Sequence, residues 1–320
     1  MRTRVIQDEP DDGRSTPRPL ALPTAGAVLA STHDPTVSRD HRRSAMSQWM
    51  RQHRLVSFFT LAIALSWWAW PLRAAGISEE PGFVPAGPLL AALIVISATD
   101  GVAGFRELGS RLVRWRVGWR WYAAAVGLPL AVIASITLVN VALFDAHMTP
   151  LGDLAWSSLA LLFAIRLVNP MDGPMGEEPA WRGYAVPQLQ ARRSPLQSAV
   201  VLGLLVSLWH LPIVVMESGS YFYLANTFAI TLVYVWLFNR TGGSVLLTLL
   251  MHVTQGTFTI ENLGFDAEGA QRMAWLGFVA WGIVALAVIV LDREAWRSAP
   301  AAARPAIPDR PMHEATTVGR

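Results

Sequence analysis

Eight apolar stretches divide this chain of 320 residues, at about 55–74, 84–98, 121–144, 153–168, 197–216, 222–239, 244–260 and 271–291. They run for about 16 to 24 residues, and some 20 apolar residues in a helix rising 1.5 Å each cross a hydrocarbon layer roughly 30 Å thick. Lipid offers no partner for a bare N–H or C=O, so such stretches have to satisfy their backbone as helices. The pattern predicts an all-α, polytopic transmembrane helical bundle of about eight spans, the second and fourth being the shortest. Charged residues make up 15% of the chain, against about a quarter in a soluble domain.

Between the spans, charge sorts by side. Arg42, Arg43, Arg51 and Arg54 precede the first span, and Arg106, Arg111, Arg114, Arg116 and Arg120 fill the 99–120 connection. Arg192, Arg193 and Arg240 fall on the same side if there are eight spans, whereas Glu79, Glu80, Asp145, Glu261, Asp266 and Glu268 fall on the other. The positive-inside bias therefore predicts a multi-pass protein of the cell membrane with both termini cytoplasmic. Residues 1–50 and 298–320 are rich in Pro and Arg and read as disordered tails around a membrane domain over 51–297. Met46 and Met50, just before the first span, are alternative starts. The net charge of +3 points to no nucleic-acid partner, and the absence of cysteine excludes disulfides, thiolate nucleophiles and Cys-ligated zinc.

An ionisable group at membrane depth is costly and belongs in a protein interior or a wet cavity. Three places stand out. Gly176-Glu177-Glu178-Pro179-Ala180-Trp181-Arg182-Gly183 lies in an amphipathic segment, 176–192, too polar to cross a bilayer alone. Pro179 suits a first helical turn. Glu178 and Arg182, four apart, are a natural ion pair, whereas Glu177 shares a stripe with Trp181 and has no such partner. A carboxylate so placed could act as a general base toward water. The alternative is two surface glutamates capping an interfacial helix. His210 and His252 are each the only His in a strongly apolar span, and each alone would read as a hydrogen-bonded core residue. The other five histidines, His33, His41, His53, His147 and His313, lie in tails, loops or a span edge.

In this order the three places resemble the motifs of the CPBP (CAAX protease and bacteriocin-processing, Abi) intramembrane endopeptidases: Glu-Glu-x-x-x-Arg, then Phe-x-x-x-His, then His-x-x-x-Asn. The first matches at Glu177, Glu178 and Arg182, the second at His210 and the third at His252, with the likeness strongest over about 173–257. Two positions depart from it. Val206 stands at the motif Phe, and Gly256 stands where the family often has an Asn that helps polarise the scissile carbonyl. On a straight helix the neighbouring Gln255 and Thr254 project about 100° and 200° away from that missing side chain.

The resemblance implies hydrolysis of peptide bonds in a membrane-associated or lipidated substrate, in a setting of membrane lipid. Glu177 would activate a water, His210 and His252 would orient it, stabilise the intermediate or ligate a metal, and Glu178 would hold Arg182 or share the catalytic role. Glu177, His210 and His252 are also a donor set for a divalent ion such as zinc, although the His-Glu-x-x-His helix of common zinc proteases is absent. Gly256 favours a different class, a non-catalytic relative serving bacteriocin self-immunity or acting as a membrane adaptor. A proton-coupled transporter would need an internal repeat that the sequence does not suggest.

Overall fold

The structure, a computed structural model, describes residues 46–78, 82–216 and 220–298. The expected tails lie outside the described residues except at their inner edges, where 46–50 is already helical. Glu79 and Glu80 also lie outside.

Ten helices carry the argument: α1 (Arg54–Trp67), α2 (Gly87–Thr99), α3 (Gly101–Leu112), α4 (Trp119–Phe144), α5 (Trp156–Val168), α6 (Pro174–Gln190), α7 (Pro195–Trp209), α8 (Phe222–Arg240), α9 (Val245–Thr257) and α10 (Ala267–Leu291). Five segments are long and apolar enough to cross a membrane: Arg54–Ala74, Trp119–Phe144, Pro195–Met216, Phe222–Arg240 and Ala267–Leu291. The remaining three apolar stretches form the shorter helices α2, α5 and α9. At 13 residues each, these are about 20 Å long. Each is less than a full crossing. The stretch at 244–260 shortens most. Gly242 and Gly243, at φ 63° and 89°, turn the chain back, and the Ser244 side chain caps α9 by accepting from Leu247 N–H.

Two segments differ from their sequence reading. The 99–120 connection contains helix α3, whose Leu108 and Arg111 are buried. Arg111 donates to the Gly183 carbonyl at 2.8 Å and to Glu107 at 2.6 Å, fastening α3 across α6. The amphipathic 176–192 segment does not lie at an interface. Every residue from Gly176 to Pro187 is buried, with α2, α3, α5 and α9 packed around the helix. Its polar side chains face inward because their partners are inside.

Gly176 shows how tightly α6 enters the bundle: a Cβ there would overlap the carbonyl oxygens of Pro85 and Pro170. The core around α6 is aromatic. Trp181 stacks edge-on against Phe58 and Trp209, with ring centroids 5.5 Å away in both cases. Elsewhere α8 packs on α7 and α10, and its end is tied down where Arg240 grips both oxygens of Asp292 at 2.6 and 2.7 Å. Outward-facing Leu138, Ile283 and Leu286 are all more than 60% exposed, an apolar surface of the kind hydrocarbon covers.

Gly176→Ala should lower stability by about 1–3 kcal/mol, because backbone oxygens cannot rotate aside. Gly109→Ala in α3, with open space around the position, should be neutral or slightly stabilising. Thermal unfolding of the two purified variants in detergent checks the contrast.

Candidate active site

Helix α6 changes character where the chemistry-bearing residues sit. It begins as α-helix over Pro174–Glu178, widens to a π-helical turn over Pro179–Ala185 and returns to α over Val186–Gln190. Pro179 has no N–H to give the ladder, and wide turns of this sort recur at functional sites. The widening still leaves Glu178 beside Arg182, whose Nη1 donates to Glu178 Oε1 at 2.9 Å. It also leaves Glu177 on the Trp181 stripe, where Trp181 Nε1 donates to Glu177 Oε2 at 3.3 Å.

Glu178 is fully buried, and the same Oε1 accepts from His252 Nδ1 at 2.9 Å. One carboxylate oxygen thereby joins α6 to α9. Arg182 also lies over the Tyr234 ring, Cζ 4.6 Å from its centroid, and Tyr234 packs against His252 at 5.6 Å. His210 reaches the site by a different device. Helix α7 ends at Trp209, and His210 caps it before the short helix Leu211–Met216, in which Pro212 interrupts the backbone ladder. Its Nδ1 donates to the Val206 carbonyl at 2.8 Å. A carboxylate and a carbonyl can only accept, so both imidazoles carry a proton on Nδ1 and leave Nε2 turned away from these partners.

Glu177, His210 and His252 line one cavity of about 60 Å³, together with Arg182 and side chains of α8 and α9. That is room for about two water molecules. Glu178 does not line it; it stands behind, gripping Arg182 and His252. The motif residues thus separate into a front rank of Glu177, His210 and His252 and a buried support of Glu178. Gln255, noted in the sequence only as a neighbour of Gly256, lines the wall, as do Tyr223, Asn226, Thr227, Thr231 and Tyr234, which the sequence did not single out. Asn226, Thr227, Thr231 and Tyr234 share one stripe of α8 at helical spacing, a pattern that would have marked a polar face in an otherwise apolar span.

The residues proposed as metal ligands do not fit an ion as they stand. They share the cavity, but among the described residues no three His, Asp or Glu side chains are close enough to hold one together.

Gly256, the second departure from the motifs, is filled from outside its own helix. Arg166 of α5 donates through Nη1 to the Gly256 carbonyl, and a Cβ at 256 would overlap that nitrogen. Arg166 also pairs with Asp172 at 3.4 Å. Any side chain at 256 would have to displace this guanidinium.

Residues 155–258 match the family model for type II CAAX prenyl endopeptidases, Rce1-like. The match takes in Glu177, Glu178, Arg182, His210 and His252 in one stretch. Over that stretch the chain is similar to the type II CAAX prenyl endopeptidases. Among curated proteins, a "CAAX prenyl protease 2" of Methanococcus maripaludis is 30% identical over 108 residues, 27% of this chain and 40% of that relative. The chain thus matches less than half the length of that relative. With five helices long and apolar enough to cross a bilayer, and this likeness, the helical bundle described above is a multi-pass membrane protein.

Arg182→Ala would leave Glu178 charged and half-paired at zero exposure. A cost of about 3–5 kcal/mol is expected, visible as a lower unfolding temperature in detergent. Glu178→Gln with Arg182→Met, which removes both charges, should recover part of the loss.

Proposed function

We propose that this chain is an intramembrane endopeptidase of the CAAX prenyl type, hydrolysing a peptide bond near the C-terminus of a lipidated, membrane-anchored substrate. The observation that carries this reading is the convergence of Glu177, His210 and His252, from three helices, on one cavity of water-holding size. The name of the relative supplies the substrate class.

In this mechanism Glu177 is the base. No cation pairs with it among the described residues, and its hydrogen bond from the Trp181 indole to Oε2 leaves the other carboxylate oxygen to take a proton from water. With Nδ1–H committed, the water's second O–H is given to the Nε2 lone pair of His210 or His252, which turns the water oxygen toward the carbonyl carbon. Glu178 fixes the tautomer and tilt of His252, and Arg182 keeps Glu178 ionised.

Two further readings each rest on one observation. The Nε2 atoms are nitrogens a divalent ion takes, but zinc on Glu177, His210 and His252, the metal-dependent form of the proposal, would require these side chains to draw closer than they stand. Metal analysis of the purified protein, with activity before and after chelation and zinc repletion, distinguishes the two forms. Gly256 is the observation behind a non-catalytic relative.

A farnesylated, internally quenched peptide ending in Cys-aliphatic-aliphatic-X, presented in mixed micelles, is the test substrate. Wild type should cleave it. Glu177→Gln, His210→Ala and His252→Ala should each lower kcat by at least about 10²-fold, the low end of general-base contributions. Wild-type turnover by Glu177→Gln would remove the proposed base, and an inert wild type would favour the non-catalytic reading.

A further inference from the structure

The contacts that close the bundle sort its helix termini into two ends. At the first, Arg54 at the start of α1 donates to Asp100 at the end of α2 at 2.7 Å. Arg114 donates to the Gly242 carbonyl at 2.9 Å and Ser244 donates to the Arg114 carbonyl at 2.7 Å, so the exit of α3 meets the turn between α8 and α9. Gln190 Nε2, at the end of α6, donates to Asn239 Oδ1 near the end of α8 at 3.0 Å. At the second end, Trp67 Nε1 at the end of α1 donates to the Trp209 carbonyl at the end of α7 at 3.0 Å. Gly176 abuts the Pro85 carbonyl just ahead of α2, and the Thr149 N–H after α4 donates to the Leu263 carbonyl before α10 at 3.2 Å. Helix α5 begins and finishes at this second end: Trp156 shares an apolar cavity with Phe258, and Arg166 reaches the Gly256 carbonyl. The passage back, which the sequence assigned to 153–168, is made by α6.

Arginine is divided unequally between these ends. Arg54, Arg106, Arg114, Arg192, Arg193 and Arg240 all lie at the first. Among the described residues the second has Arg73, Arg166 and Arg272, and the last two are paired with Asp172 and Glu268. The positive-inside bias makes the first end cytoplasmic.

The cavity belongs to the second end. Glu177 is in the first turn of α6, His210 follows the last residue of α7, Tyr223 is in the first turn of α8 and Gln255 is in the last turn of α9. Exposure along the α8 wall falls from 40% at Tyr223 to 1% at Thr231 and Tyr234, which puts the mouth at Tyr223 and the floor at Tyr234. At that floor Tyr234 O–H donates to Gln255 Oε1 at 2.6 Å, joining α8 to α9. Beyond it, toward the arginine-rich end, Val235, Leu237 and Phe238 of α8 and Val245 and Leu247 of α9 are completely buried. A packed apolar layer therefore separates the cavity from the first end, and a peptide crossing it would lose water from its backbone with no partner in return.

We propose that the catalytic cavity opens on the extracytoplasmic face of the membrane, and that its substrate is an exported, membrane-anchored polypeptide whose segment next to the bilayer on that face enters past Tyr223. The inference rests on the endopeptidase reading above and fixes the side from which the substrate comes: a lipidated C-terminus meets Glu177 only after export.

The chain has no cysteine, so a single introduced thiol reports sidedness without background. Three single-cysteine variants of the full-length protein are used: Tyr223→Cys at the mouth, Gly152→Cys in the connection after α4 and Arg116→Cys in the connection before it. Right-side-out and inverted membrane vesicles carrying each are treated with a membrane-impermeant sulfonated maleimide. Tyr223→Cys and Gly152→Cys should label at least about tenfold faster in right-side-out vesicles, and Arg116→Cys at least about tenfold faster in inverted ones, as the arginine bias requires. The farnesylated quenched peptide, carrying a sulfonated fluorophore and added outside vesicles that hold wild type, should be cleaved by the right-side-out preparation and spared by the inverted one. Detergent should make the two equal. Tyr223→Cys that labels from the same side as Arg116→Cys or from neither side overturns the inference and leaves the endopeptidase reading standing. So does a labelling pattern reversed at all three positions, or cleavage by inverted vesicles as fast as by right-side-out ones. Wild type inert in detergent removes the endopeptidase reading and with it the substrate assigned here, while the labelling pattern alone decides the side of the cavity.

Discussion

A single carboxylate oxygen, Glu178 Oε1, accepts from both Arg182 and His252 at the centre of the bundle. Because Glu178 is fully buried, its charge is tolerable only while both partners stay in place. That requirement fixes α6 against α9 and turns the His252 ring so that Nε2 is left over. The Arg182 guanidinium, held in turn by Glu178 and the face of Tyr234, passes the constraint to α8. The cavity is what remains at the point where these three helices are clamped together.

Around that clamp, the bundle buries a polar helix inside protein. From Gly176 to Pro187 helix α6 touches protein on every side, with the Pro85 and Pro170 carbonyls closing over Gly176 and Arg111 reaching in to the Gly183 carbonyl. The three short apolar helices α2, α5 and α9 are packed against it. They enclose α6 on one side, and α2 and α5 also turn Leu90, Ile94, Leu161 and Val168 outward beside the long helices. The wide π turn in α6 persists in this setting because Pro179 weakens the regular ladder and neighbours over-determine the rest.

The same arrangement accounts for the departure at Gly256. A side chain there and the Arg166 guanidinium exclude one another. With Arg166 tying α5 to both the end of α9 and Asp172 ahead of α6, the glycine is part of the packing. The cavity then draws its polar wall from α8 and from Gln255 rather than from position 256.

Much of the architecture was legible in the residues. The length of the apolar stretches called for helices, since lipid cannot satisfy a backbone, and all eight stretches are helical. Spacing alone paired Glu178 with Arg182 and set Glu177 beside Trp181, because contacts three and four residues apart survive whatever surrounds a helix. What the sequence could not decide were contacts between elements far apart in the chain. The link from Glu178 to His252 spans 74 residues, and the bond that orients Gln255 comes from another helix. An amphipathic pattern says that one face is polar, not whether that face meets water or its own partners, and only the folded chain placed the polar face of α6 inside. Periodicity belongs to a single helix, whereas a site is a property of how several helices pack, and that depends on shape and charge pairing that no local pattern records.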